Sequence, residues 1–406
     1  MSNIALRNAL IAAGVIGAGA ATVAEEGSAV TALTPTVISG YVDTSIIWSM
    51  DDQDGAPQLP GRSFDKADKM DGFNLNVVKV GLEKPLDDSA WSAGYKVDLL
   101  FGPDAVGWNG SILGDNTSDV GIRQAYVALR ADIGNGLDFK VGTFDTIIGY
   151  EVFEAGGNPN YSRSYGYFIE PTQHTGVLAS YNLTDFLALN AGVANTHTPR
   201  INARGAEGQD ANGNPVPADD WNEAFMASAT VTLPEDSGFL AGMALYGGIV
   251  GGLGSDGTDA DNKYNFYAGA TVPLPITGVS VGVAYDYRAQ ELYNDPTDTS
   301  LGAVQTYANA FGGYVIWQVS EKLKLAGRGE YATGTSGTYT GVYTPGAGGE
   351  EYFGLTATLD YSLWANVISR VEFRWDKDLS NDRSFGSVDD PSNDAYQLAL
   401  NLIYKF

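Results

Sequence analysis

Beyond residue 35, apolar and polar residues alternate in short runs that recur about every twenty to twenty-five residues. A period of two limits the chain to strands whose two faces meet different surroundings. In the final run Tyr396, Leu398, Leu400, Leu402, Tyr404 and Phe406 share one face, with Gln397, Ala399, Asn401 and Lys405 on the other. Residues 91–101 repeat the scheme, setting Trp91, Ala93, Tyr95, Val97, Leu99 and Phe101 against Ser92, Gly94, Lys96 and Asp98. Over 367–376 the polar face is charged: Val367, Val371, Phe373 and Trp375 oppose Arg370, Glu372, Arg374 and Asp376. No segment shows convincing helical periodicity.

Two architectures satisfy such alternation. A soluble sandwich buries its apolar face against a second sheet, whereas a membrane barrel turns that face to lipid and its polar face to water. Aromatic residues at the run ends (Trp48, Trp91, Tyr285, Tyr287, Trp317, Tyr361, Trp364, Trp375 and Tyr404) suit the interfacial girdles of the barrel. Seven short stretches rich in turn residues, at 85–88, 131–136, 183–185, 234–238, 273–277, 320–322 and 362–366, alternate with eight long ones. The long ones fall at 50–71, 102–120, 145–171, 196–220, 251–262, 290–303, 334–349 and 377–393. The expectation is an all-β fold: a transmembrane antiparallel β-barrel of about sixteen strands over residues 36–406, with short periplasmic turns and long extracellular loops. Over 72–84 the apolar parity changes from Phe73, Leu75 and Val77 to Val78, Val80 and Leu82, which predicts a bulge near Val77.

Ahead of the barrel, Arg7 precedes the apolar run 9–21, shorter than the roughly twenty residues of a spanning helix. Residues 1–24 read as a signal peptide, with an anchor helix as the competing reading. Small residues at Thr22 and Ala24 predict cleavage before Glu25; Val30 and Ala32 frame a second site before Leu33, and residues 25–35 form a tether. The chain has no cysteine, which removes disulfides, thiolate metal sites and cysteine nucleophiles. Its net charge of −26 repels phosphate, so nucleic acid is not an expected partner. A mean hydropathy of −0.11 fits strands whose lipid-facing and lumen-facing residues average out.

Several stretches together resemble one known family. They are Val80-Gly-Leu-Glu-Lys-Pro-Leu86, Lys96-Val-Asp-Leu-Leu-Phe-Gly-Pro-Asp-Ala105, Gln124-Ala-Tyr-Val127, Phe139-Lys-Val-Gly-Thr-Phe144, Ile148-Gly-Tyr-Glu151, Asn160-Tyr-Ser-Arg-Ser-Tyr165 and Pro171-Thr-Gln-His-Thr-Gly176. In this order they resemble the OmpL-like β-barrel porins, also called porin type 2. The resemblance implies a bacterial outer-membrane barrel with pore activity and supplies no substrate. Phe406, with apolar residues at alternate positions before it, also resembles the terminal strand by which outer-membrane barrels are recognised for assembly.

Inward positions carry both signs. Lys96, Lys140, Lys324, Arg328, Arg370 and Arg374 stand against Asp43, Asp98, Asp138, Asp286, Glu330, Asp360 and Glu372. Either these rows set a transverse field across a constriction, or they pair with one another across strands. Loop 145–171, with Asp145, Glu151, Glu154, Arg163 and Glu170, either folds into the pore or packs over its rim. The acidic stretches Asp51-Asp52-Gln-Asp54 and Asp256-Gly-Thr-Asp259-Ala-Asp261 lack calcium-loop spacing and read as solvated surface. No metal or cofactor motif is legible. His174 and His197 are the only histidines, and neither has a legible serine and acid beside it. The functional expectation is passive diffusion of small hydrophilic solutes or ions, with an acidic mouth preferring cations, outer-membrane lipid outside and a homotrimer by analogy with general porins. The alternative is a structural or adhesive barrel with a plugged lumen, and a weaker third is a barrel enzyme such as a lipase.

Overall fold

The computed structural model describes residues 36–50, 58–106, 118–198, 201–217, 223–295, 297–341, 347–387 and 389–406. The first half of the wall is built by β1 (Val37–Ser49), β2 (Gly72–Lys84), β3 (Ser92–Phe101), β4 (Val120–Ala131), β5 (Leu137–Asp145), β6 (Gln173–Thr184) and β7 (Leu187–Ala194). A loop hairpin, β8 (Ala206–Gln209) with β9 (Pro215–Pro217), follows. The wall resumes with β10 (Ala224–Thr232), β11 (Ala244–Gly252), β12 (Lys263–Pro273), β13 (Val279–Tyr293), β14 (Ala303–Gln318), β15 (Leu323–Gly334), β16 (Glu350–Tyr361) and β17 (Val367–Asp378). A second hairpin, β18 (Phe385–Gly386) with β19 (Pro391–Ser392), precedes the last strand, β20 (Asp394–Lys405).

Sixteen strands close into one antiparallel barrel, each bonded to its neighbour along the chain apart from the two hairpins. Closure leaves no edge: β20 pairs back onto β1 from Tyr41↔Lys405 to Ser49↔Gln397. The alternation maps onto the wall as expected. Along β20, Ala395, Gln397, Ala399, Asn401 and Ile403 are buried inward, while Tyr396, Leu402 and Tyr404 are exposed outward. Trp91, Trp317, Trp364 and Tyr361 lie exposed near the short-turn end, and Trp48, Tyr307 and Tyr331 toward the long-loop end. No described helix is long and apolar enough to cross a membrane.

Two bulges matter for the lumen. In β2 the register passes from Asp43↔Val77 to Thr44↔Leu75, leaving Asn76 as the extra residue, beside the predicted position. In β4 it passes from Asp98↔Gln124 to Leu99↔Ile122, leaving Arg123 extra. A bulge lets two successive side chains point the same way, and both Asn76 and Arg123 are buried inside the barrel. One departure from the strand-only expectation is a single helical turn, Tyr165–Ile169, within loop 146–172.

Candidate functional site: the lumen and the loop folded into it

Loop 146–172 turns into the barrel rather than over its rim. Its own residues shape it first. The Asn158 amide closes one turn, accepting from the Val152 amide at 2.8 Å and donating to the Val152 carbonyl at 2.7 Å. The Arg163 guanidinium gathers the carbonyls of Val152 at 3.1 Å, Tyr161 at 2.6 Å and Phe153. Ser164 caps the helical turn by accepting from the Tyr167 amide at 3.1 Å. Gly166 is required by proximity, because a Cβ there would lie 2.5 Å from Asp286 Oδ2.

The wall β15–β17 then receives this loop by its backbone. Arg328 uses its whole fork: Nε to Glu330 at 2.7 Å, Nη1 to Glu151 at 2.8 Å and to the Ser162 carbonyl at 2.7 Å, and Nη2 to Ser162 Oγ, the Arg163 carbonyl and Thr356. Arg370 joins Asp360 at 3.1 Å to the carbonyls of Ala155 and Asn158, and Arg374 joins Asp376 to the Arg163 carbonyl. The carboxylates take the loop's amides: Glu372 accepts from Tyr161 and Ser162, Glu330 from Tyr165. Every one of these charges is almost fully removed from water. Such burial is tolerable only with complete pairing, so removing one partner strands the rest.

The opposite wall holds the loop as well. Glu154 meets Lys79 at 2.6 Å and Arg123 at 3.5 Å, and Arg123 also meets Asp145 at 2.6 Å. Burial alone would raise the Glu154 carboxyl, but Arg123 and Lys79 prevail and hold it well below the usual carboxylate range. Ile147 and Ile148 pack with Leu178, Met226, Val250 and Tyr267 of β6–β12, while Tyr150 stacks on Tyr314 at 4.3 Å. Loop 58–71 adds a second layer: Arg62 bridges Asp65 and Asp376, and Phe64 packs edge-on against Phe153. Near the loop's exit, Glu170 and Asp286 face each other within hydrogen-bonding reach, with no cation in ion-pair contact among the described residues. Burial and the neighbouring Asp286 carboxylate push the Glu170 carboxyl well above its ordinary range.

Below the loop the lumen opens toward the short turns as a cavity of about 310 Å³, walled by Glu83, Lys96, Tyr126, Asp138, Lys140, Ser180 and Asn190 among others.

The profile of the beta-barrel porin-2, OmpL-like family matches residues 35–406. The chain belongs to this porin family. It is an outer-membrane protein of bacteria, and the short turns are its periplasmic side. No curated protein matches the porin in sequence. Its fold is similar to that of the outer membrane channel DcaP of Acinetobacter baumannii, at 13% identity and a TM-score of 0.59 over 94% of this chain and 99% of that one. It is similar also to in-vitro folded OmpT of Vibrio cholerae in its trimer form, at 13% identity and a TM-score of 0.54 over 91% and 99%. A third likeness is to an anion-selective porin from Comamonas acidovorans, at 9% identity and a TM-score of 0.52 over 91% and 99%.

The porin brings Glu151, Arg163, Arg328, Glu330, Arg370, Glu372 and Arg374 together where the loop is seated on β15–β17, while Glu154 is held separately by Lys79 and Arg123. Asp98 accepts from Gln124 at 2.9 Å and pairs with Lys79, and Asp138 is held by Arg130. Lys96 and Lys140 face the periplasmic cavity. Residues that parity reasoning missed are Arg62, Asp65, Lys79 and Arg123; only the bulge disguises Arg123, while Arg62 and Asp65 sit in a loop without periodicity. The solvated reading of Asp259 does not hold: it is fully buried, with Lys263 at 3.4 Å. Asp51, Asp52 and Asp54 lie outside the described residues, as does the signal segment. His174 bonds Thr146 at 3.1 Å and packs on Phe144, which gives it a structural place.

Proposed function

We propose that this porin passes small hydrophilic solutes or ions by passive diffusion, and that loop 146–172 sets the width of the path. The observation that carries this reading is the loop itself, seated inside the barrel by ion pairs and backbone hydrogen bonds to β15–β17. Passage of this kind needs no covalent step.

Cation preference has narrower support than the net charge suggested, because most inner carboxylates face a guanidinium or an ammonium and cancel locally; what remains is the acidic outer surface. The test is a reversal potential across a salt gradient: a shift toward the cation value supports the acidic mouth, and a shift toward the anion value contradicts it. A second reading, a plugged structural barrel, is favoured by the loop's packing on both walls, through Ile147 and Ile148 as well as the arginines. Liposome swelling with sugars of graded size separates the two, since a plugged barrel admits none.

Assembly as a homotrimer in outer-membrane lipid belongs to the same proposal; crosslinking in detergent would show trimers or leave monomers only. So does removal of residues 1–24, which predicts a mature chain beginning at Glu25 in intact-mass spectra.

A further inference from the structure

We propose that the periplasmic cavity is a subsite for a small organic anion, a carboxylate, with Lys140 as its charge and Tyr126 and Asn190 beside it. Three adjacent strands, β3–β5, carry its charged side, and β7 carries Asn190. The register sets Lys96 of β3 opposite Tyr126 of β4, and Ala128 of β4 opposite Lys140 of β5, so Lys96, Tyr126 and Lys140 lie in a row on the inner face. Opposed and diagonal side chains on one face of a sheet are within mutual reach.

The charges in this cavity are not equivalent. Lys96 is committed to Glu83 at 3.3 Å and lies near Asp98 at 4.0 Å. Asp138 is gripped through both oxygens by Arg130, at 2.6 and 2.7 Å. Lys140 stands apart: its ammonium lies 5.1 Å from the centre of the Tyr126 ring, and among the described residues no carboxylate comes within ion-pair distance of it. A ring face compensates an ammonium only in part where water still reaches it. An ammonium left half-compensated at the edge of a 310 Å³ cavity is a place for an anion.

Along the same wall, on β6 and β7, neutral hydrogen-bonding groups continue from Lys140: the register sets Asp138 opposite Ser180 and Ser180 opposite Asn190. Ser180 donates to Asn190 Oδ1 at 2.6 Å, and the Asn190 amide donates to Ser228 at 3.1 Å, which orients that chain along the inner face. The site lies below the loop, so it does not depend on whether the barrel conducts.

The test uses the full mature barrel refolded in detergent, titrated calorimetrically with sodium succinate and, at matched ionic strength, with sodium chloride. Saturable succinate binding that chloride does not reproduce, weakened at least tenfold by Lys140→Gln and largely retained by Lys140→Arg, is the expected result. Absence of saturable binding, or equal affinity in Lys140→Gln with an unchanged heat-modifiable gel shift, overturns the proposal. Asn190→Ala supplies a second reading: a smaller loss of affinity is expected, and no change removes Asn190 from the site.

Discussion

At the scale of single residues, this lumen is a set of charges that are stable only in company. Arg328 satisfies two carboxylates and three loop groups at once, so Arg328→Met leaves Glu151 and Glu330 buried and short of a partner. Breaking a buried pair in this way costs about 3–5 kcal/mol, and the loop should detach before the barrel unfolds. Limited proteolysis within 146–172 checks this: new cleavage is expected in the variant, with the barrel's strand content by circular dichroism unchanged. Gly40 makes a different kind of demand. It exchanges backbone hydrogen bonds with Phe406 at 2.9 and 3.0 Å, and a Cβ there would lie 2.3 Å from the Lys79 carbonyl and 2.5 Å from the Phe406 ring. Gly40→Val should therefore hinder closure at the seam and reduce the heat-modifiable folded band on gels at least severalfold, whereas Ser39→Val, one position along, should leave it intact.

Among the elements, loop 146–172 carries the device most open to control. Glu170 holds its proton well above the ordinary carboxylate range because it is buried beside Asp286, with Glu151 further off and Tyr167 and Tyr267 as neutral neighbours. A raised carboxyl favours the docked loop while protonated. That support is complete below the group's ordinary pKa and is lost as pH rises through the raised one, where two carboxylates would repel. Open probability is thus expected to increase with pH, and Glu170→Gln should flatten the dependence; an unaltered pH profile in that variant contradicts the assignment.

Strands and loops differed in how plainly they could be read from sequence. Each strand announced its two faces because the side-chain period of two is local, and even the β2 bulge showed as a change of parity at Val77. The loop's destination was not local: Arg328 and Glu151 are 177 residues apart, and nothing within 145–171 distinguishes an infolded loop from one at the rim. The family-like stretches Gly-Tyr-Glu151 and Asn160-Tyr-Ser-Arg-Ser-Tyr165 contain the groups that seat it, Glu151, Asn160, Ser162, Arg163 and Tyr165. Arg123 escaped because its bulge shifts parity without leaving an apolar mark.

For the whole molecule, a closed sixteen-stranded wall surrounds one loop folded inside it. The barrel is wide enough for water at this strand number, so resistance to solute flow falls on the loop and not on the wall. Single-channel conductance of the full mature chain in a planar bilayer, compared with a variant in which residues 152–164 are replaced by a short glycine-serine link, addresses this most directly. A small or intermittently closed conductance is expected for the full chain and a severalfold larger, steadily open one for the variant. Equal conductance in the two would contradict the claim that loop 146–172 sets the pore.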